Sequence, residues 1–130
     1  MRSSEDYILV VEDDDDIREV LVEILYERGY ASCTASNGEE ALAFLGAAGP
    51  PCLILLDQMM PVMGGEELIG VLRATPALAR VPICVLTADV QFTPGDVDAV
   101  ITKPIDEGAL LKVVDHHCRR RVTSMSAAGI

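Results

Sequence analysis

Basic residues are scarce in this chain. Ten lysines and arginines stand against 21 aspartates and glutamates, a formal net charge of −11. Contacts to a nucleic-acid backbone need clustered Lys and Arg, so this balance argues against direct nucleic-acid binding. One basic cluster exists, Arg119–Arg121. It follows a segment of helical periodicity and fits cations complementing a helix C-terminus; a small docking patch or the start of a linker is the other reading. Long apolar runs are missing too. No stretch of about 18 apolar residues occurs, so no transmembrane helix and no membrane partner are expected. The opening "MRSSEDY" lacks the apolar core of a signal peptide, and the expected location is cytoplasmic. The four cysteines, Cys33, Cys52, Cys84 and Cys118, are widely spaced with no C-x-x-C pair, which argues against a zinc site. Three read as small apolar residues in or near strands, and Cys118 as a late helix residue. Internal repeats and low-complexity segments are absent.

What is present is apolar and periodic. Half of the 130 residues are hydrophobic, enough for one domain with a sizeable core. "YILVV" (7–11), "CLILLD" (52–57) and "PICVLTA" (82–88) are continuous apolar runs, the pattern of strands buried on both faces. "ASCTA" (31–35) and "DAVIT" (98–102) are weaker strand candidates. Ile17, Val20, Leu21, Ile24 and Leu25 recur at helical spacing and Gly29 follows as a stop. Residues 38–46, 66–74 and 106–118 read as further amphipathic helices. Gly49-Pro50-Pro51 is a turn, and Pro76 and Pro82 bracket a connection. Strands alternating with helices predict an α/β domain over residues 1–121, a parallel sheet with helices on both faces. Residues 122–130, "VTSMSAAGI", read as a C-terminal tail or linker stub.

In such sheets ligands bind beyond the carboxyl ends of the strands. The first strand delivers Glu12 and Asp13 there, the third Asp57, the fourth Thr87 and the fifth Lys103, followed by Pro104. The second delivers nothing ionisable, as expected at a sheet edge. Three carboxylates against one ammonium call for a cation. Mg2+ suits the set, because it takes one or two carboxylates together with waters and phosphate oxygens. A carboxylate beside such an ion is a candidate nucleophile forming an aspartyl phosphate, here Asp57. Lys103 and the Thr87 hydroxyl are then candidates to contact phosphoryl oxygens. Within the run "EDDDD" (12–16), Glu12 and Asp13 belong to the site, while Asp14, Asp15 and Asp16 open the first helix, where negative charge is favoured.

Competing motifs fail on the same letters. A calcium loop starting at Asp13 would need Gly and Glu where Arg18 and Ile24 stand. Neither a P-loop nor a glycine triplet follows the first strand. Asp13-x-Asp15 weakly resembles the start of a haloacid-dehalogenase-type phosphatase, which wants a threonine-like residue at Ile17. His116 and His117 beside Cys118 point in different directions on a helix, so a metal cluster there is disfavoured.

The motifs together resemble the receiver domain of the two-component response-regulator family. "VVEDD" is similar to its acidic pair, "LLDQMMPVMGG" to its D-x-x-M-P-x-M-x-G phospho-acceptor pattern, "VLTA" to its Thr-Ala, and "TKP" to its Lys-Pro. The likeness covers roughly residues 6–120. It implies a flavodoxin-like (βα)5 doubly wound fold with strand order 2-1-3-4-5, an order the family itself exemplifies. It implies a phosphoprotein of phosphorelay signalling. Asp57 would accept a phosphoryl group from a sensor histidine kinase or phosphotransfer protein and signal to a downstream effector protein. It also implies Mg2+ held by Asp13, Asp57 and a backbone carbonyl near Met59, with Glu12 acting largely through water, and a cis Lys103–Pro104 bond. Turnover would be limited to phosphorylation and dephosphorylation of Asp57, so no enzyme acting on an exogenous substrate is expected. The alternative is a pseudo-receiver, the same fold used as a phosphorylation-independent binding module.

Two departures from the pattern carry expectations of their own. The aromatic that reports phosphorylation in relatives, three residues before the lysine, is Val100 here. Only eleven residues, "ADVQFTPGDVD", separate Thr87 from Ala99, whereas a parallel crossover needs a dozen or so. The family's fourth helix is therefore expected to be truncated or replaced by a loop. Met59 and Asp89, two residues after Asp57 and Thr87, are the positions whose variation tunes phosphate lifetime in the family.

Overall fold

The computed structural model describes residues 6–89, 91 and 95–120. Five parallel strands form one sheet: β1 (Ile8–Val11), β2 (Ser32–Ala35), β3 (Leu53–Asp57), β4 (Ile83–Thr87) and β5 (Ala99–Thr102). Their order is β2-β1-β3-β4-β5, the flavodoxin-like order expected, with β2 at one edge. The helices are α1 (Asp15–Glu27), α2 (Gly38–Ala48), α3 (Gly65–Ala74) and α4 (Glu107–His117).

The continuous apolar runs resolve into alternating faces, because successive strand side chains point to opposite sides. Leu9, Val11, Ile54, Leu56, Ile83 and Val85 pack with Ala41 and Leu45 of α2 and Leu68, Ile69 and Leu72 of α3. Ile8, Val10, Leu53, Leu55, Cys84, Leu86 and Ile101 pack with Leu21 and Leu25 of α1 and Leu110 and Val114 of α4. Each fully buried Leu or Ile contributes roughly 2 kcal/mol.

The acidic run divides where the sequence reading placed the boundary. Asp14 is the N-cap of α1, its carboxylate accepting hydrogen bonds from the N–H groups of Asp16 at 2.9 Å and Ile17 at 3.0 Å. Those are two of the donors that every helix start leaves without an internal partner. Asp15 pairs with Arg18 one turn on. At the other end the chain turns through Gly29, whose φ of 88° favours glycine.

Among the described residues, none between Thr87 and Ala99 is helical. Four helices accompany five strands among the described residues, in keeping with the short fourth crossover. The expected tail, residues 122–130, lies outside the described residues, as does Arg121. Arg119 and Arg120 sit beyond the helix end rather than in its last turn; the Arg119 N–H faces Asp6 at 3.4 Å, and Arg120 pairs with Asp115 at 3.8 Å.

The cysteines depart from the sequence reading. Cys52 and Cys118 form a disulfide, with Cα atoms 5.4 Å apart. They are separated by 66 residues, so spacing along the chain hides the pair. It arises because Cys52 leads into the central strand β3 and Cys118 caps α4, which packs across that sheet face. Cys33 and Cys84 are free thiols.

Candidate functional site

Parallel strands carry their C-terminal ends to one rim, and there the chemistry collects. The β1 chain continues into Glu12, whose N–H still bonds the Ala35 carbonyl at 3.0 Å, and then into exposed Asp13. Asp57 ends β3, Thr87 ends β4, and Lys103 follows β5, its N–H donating to the Thr87 carbonyl at 2.7 Å. Glu12, Asp57 and Thr87 are buried, at 1%, 5% and 1% exposure. Lys103 Nζ lies 3.0 Å from Asp57 Oδ1 and 3.5 Å from Glu12 Oε1. The Lys103–Pro104 bond is cis. A cleft of about 230 Å³ is lined by Glu12, Asp13, Asp57, Met59, Thr87 and Lys103.

Electrostatics at this rim are unbalanced. Burial is the main cause that pushes the Glu12 carboxyl up to about 7, with the Asp57 charge adding to it and Lys103 opposing. Asp57 is also raised, by burial first, against the lowering contact with Lys103. For Lys103 burial works downward, but the hydrogen bond and charge of Asp57 and the charge of Glu12 outweigh it, and its pKa is raised. One ammonium thus leaves excess negative charge.

That excess is what a hard cation would neutralise. One carboxylate oxygen from each of Glu12, Asp13 and Asp57 lies within 4.8 Å of the others. An all-oxygen donor set beside an open cleft fits Mg2+, which keeps part of its shell for water and phosphate oxygens.

The loop after β3 is held tightly. The Gln58 N–H donates to the Leu86 carbonyl at 3.1 Å, and the Gly65 N–H to the Gln58 carbonyl at 2.9 Å. A Cβ on Gly65 would meet the Asp57 carbonyl oxygen at 2.9 Å and Gln58 Cα at 3.0 Å, so only glycine lets α3 start this close to the Asp57 backbone. Val62 sits at φ 67° within a three-residue turn, the Met63 N–H bonding the Pro61 carbonyl at 2.7 Å. That is a strained conformation for a β-branched residue.

Three polar contacts were not legible in the motifs. The Thr87 hydroxyl donates to Gln58 Oε1. Thr87 Oγ1 in turn accepts from the Asp89 N–H at 2.9 Å. Arg18 Nη1 donates to the Glu12 carbonyl at 2.9 Å, tying α1 to the acidic pair. Gln58 falls on an unspecified position of the acceptor pattern and Arg18 lies outside it, so neither carried a signal. Elsewhere, Val100 is 39% exposed on β5. His116 and His117 stack edge to face while Cys118 is consumed by the disulfide, so that triplet forms no metal cluster among the described residues.

Comparison with known proteins agrees with this geometry. The model of the response regulator receiver domain family matches residues 8–115. An uncharacterized 14.6 kDa protein in the sodA1 3′ region of Leptolyngbya boryana is 36% identical over 118 residues, 85% of this chain and 88% of that protein. The sensor histidine kinase TmoS of Ectopseudomonas mendocina is 32% identical over 98% of this chain, which spans only 13% of that much longer protein. Among solved structures, the signal receiver domain of a signal transduction histidine kinase from Syntrophus aciditrophicus superposes with a TM-score of 0.78 at 36% identity, covering 85% of this chain and 88% of that one. The receiver domain of sensor histidine kinase PA1611 from Pseudomonas aeruginosa PAO1 gives a TM-score of 0.79 at 25% identity, covering 86% and 96%; that structure has a magnesium ion coordinated in its active-site cleft.

Proposed function

Because the chain belongs to the response regulator receiver domain family, we propose that it is a working phospho-acceptor of two-component signalling, with Asp57 taking a phosphoryl group from the phosphohistidine of a sensor histidine kinase or phosphotransfer protein. An Asp57 carboxylate oxygen attacks phosphorus in line, the P–N bond breaks, and the electron pair leaves with the imidazole. Lys103, already 3.0 Å from Asp57, stays with the new dianion and pairs with a phosphoryl oxygen. The Thr87 hydroxyl donates to another. Glu12, Asp13, Asp57 and the main-chain carbonyl of Met59 would hold Mg2+, which supplies charge neutralisation between the carboxylates and the incoming phosphoryl group. Phosphorylation then shifts the loops after β3 and β4 between two populations that a downstream effector protein distinguishes.

On this reading the domain works in the cytoplasm, contacts neither nucleic acid nor membrane directly, and turns over no substrate beyond its own aspartyl phosphate. Among the described residues no helix is long and apolar enough to cross a membrane. The observation that carries the proposal is the convergence of Asp57, Lys103, Glu12 and Asp13 within hydrogen-bonding or metal-ligating reach.

Intact-mass spectrometry after incubation with acetyl phosphate tests it. One phosphate per chain, dependent on Mg2+ and lost in Asp57→Asn, is expected. A wild type that takes none, with or without Mg2+, would leave a pseudo-receiver binding module in its place.

A further inference from the structure

We propose that Gln58 is a latch on the Thr87 hydroxyl, a positioning residue that holds back the phosphorylated state; this rests on the phospho-acceptor reading above. A threonine hydroxyl has one proton to donate. Here that proton goes to Gln58 Oε1, while Thr87 Oγ1 itself accepts from the Asp89 N–H. Thr87 is 1% exposed, so its hydroxyl meets little bulk water. To donate to a phosphoryl oxygen on Asp57, it must first break the bond to Gln58.

The latch is built rather than incidental. The Gln58 backbone is pinned on both sides, by the Leu86 carbonyl of β4 and by the Gly65 N–H at the start of α3. Its side chain therefore starts from a fixed position next to the nucleophile and reaches across to the end of β4. That single contact couples the loop after β3 to the loop after β4. Release of Gln58 when Thr87 turns toward the phosphoryl group gives the β3–α3 loop a direct report of the event. Val100 offers no ring to carry such a report along β5.

A double-mutant cycle tests the latch. Initial rates of phosphorylation by acetyl phosphate with Mg2+ are measured for wild type, Gln58→Met, Thr87→Val and the double variant, with thermal melts to confirm folding. Met matches the length of Gln but has no amide acceptor. Gln58→Met is expected to speed phosphorylation about 2- to 10-fold, the net worth of one intramolecular hydrogen bond. The gain should vanish in the Thr87→Val background and persist with Thr87→Ser, which keeps the hydroxyl. If Gln58→Met melts early, Gln58→Leu replaces it in the cycle. A wild type that is phosphorylated while Gln58→Met matches its rate overturns the latch alone, as does an equal gain with and without the Thr87 hydroxyl. A wild type that takes no phosphate overturns the phospho-acceptor reading and the latch with it.

Discussion

Reduction of the Cys52–Cys118 bond is the perturbation whose size is best defined by the structure. The bond closes a loop of 66 residues. In the chain-entropy model, cross-linking a loop of that length removes about 15 cal/mol/K from the unfolded ensemble, or about 4 kcal/mol at 25 °C; measured values run about 2–4 kcal/mol. Reduction should leave the folded form nearly intact. Cys52 Sγ lies 3.2 Å from the Tyr7 carbonyl, a ready acceptor for the thiol, and Leu110 and Val114 still anchor α4 in the core. The loss therefore falls almost wholly on the unfolded side. For 130 residues the unfolding entropy is about 0.27 kcal/mol/K, so Tm should fall by about 7–15 °C. Melts followed by circular dichroism, with and without a phosphine reductant, measure this, and thiol titration in denaturant fixes the redox state: two free thiols before reduction and four after. Cys52→Ala/Cys118→Ala should melt with the reduced wild type and ignore the reductant. A reducing compartment keeps such pairs as thiols, so both forms are worth measuring. An unchanged Tm while the thiol count rises from two to four would refute the reasoning, and four thiols at the outset would refute the bond itself.

Other consequences are direct. Asp13→Ala should abolish Mg2+ binding in a calorimetric titration, because it removes one of three converging carboxylates. Asp14→Ala should cost about 1 kcal/mol in urea unfolding, the usual worth of an N-cap, and Asp16→Ala less, with Mg2+ affinity retained in both. Gly65→Ala should destabilise by roughly 1–3 kcal/mol, since the added Cβ meets backbone atoms that cannot swing away. Stability of the Mg2+-free protein should depend on pH through Glu12. Its carboxyl titrates near about 7 when folded against an ordinary 4.5, so the folded form binds the extra proton, and the contribution is full below 4.5 and lost as pH rises to about 7. Urea melts from pH 4.5 to 8 should show this decline, and Glu12→Gln should flatten it.

The order of elements, the faces of the helices and the five rim residues were all legible before any coordinates. The reason is local: a strand buried on both faces has to be a short continuous apolar run, and each such run ends at the residue it presents. "YILVV" leads to Glu12 and Asp13, "CLILL" to Asp57 and "ICVL" to Thr87, while the weaker, partly exposed edge run "AVIT" leads to Lys103. The short stretch between Thr87 and Ala99 likewise announced that a full fourth helix would not fit. Chain spacing carried nothing about contacts that form only when distant elements pack. Cys52 meets Cys118 across 66 residues. The Gln58 amide reaches Thr87 across 29. Gly65 is required by the backbone of Asp57 rather than by its own helix. The elevated pKa of Glu12 comes first from its burial at the rim, with the charge of Asp57 from another strand adding to it. The amino-acid sequence thus determined which residues stand at the carboxyl-end rim of the sheet, because periodicity and strand ends are properties of neighbours along the chain. Only the tertiary structure decided which of them share protons, charge or a covalent bond, because those depend on distances through space that no local pattern encodes.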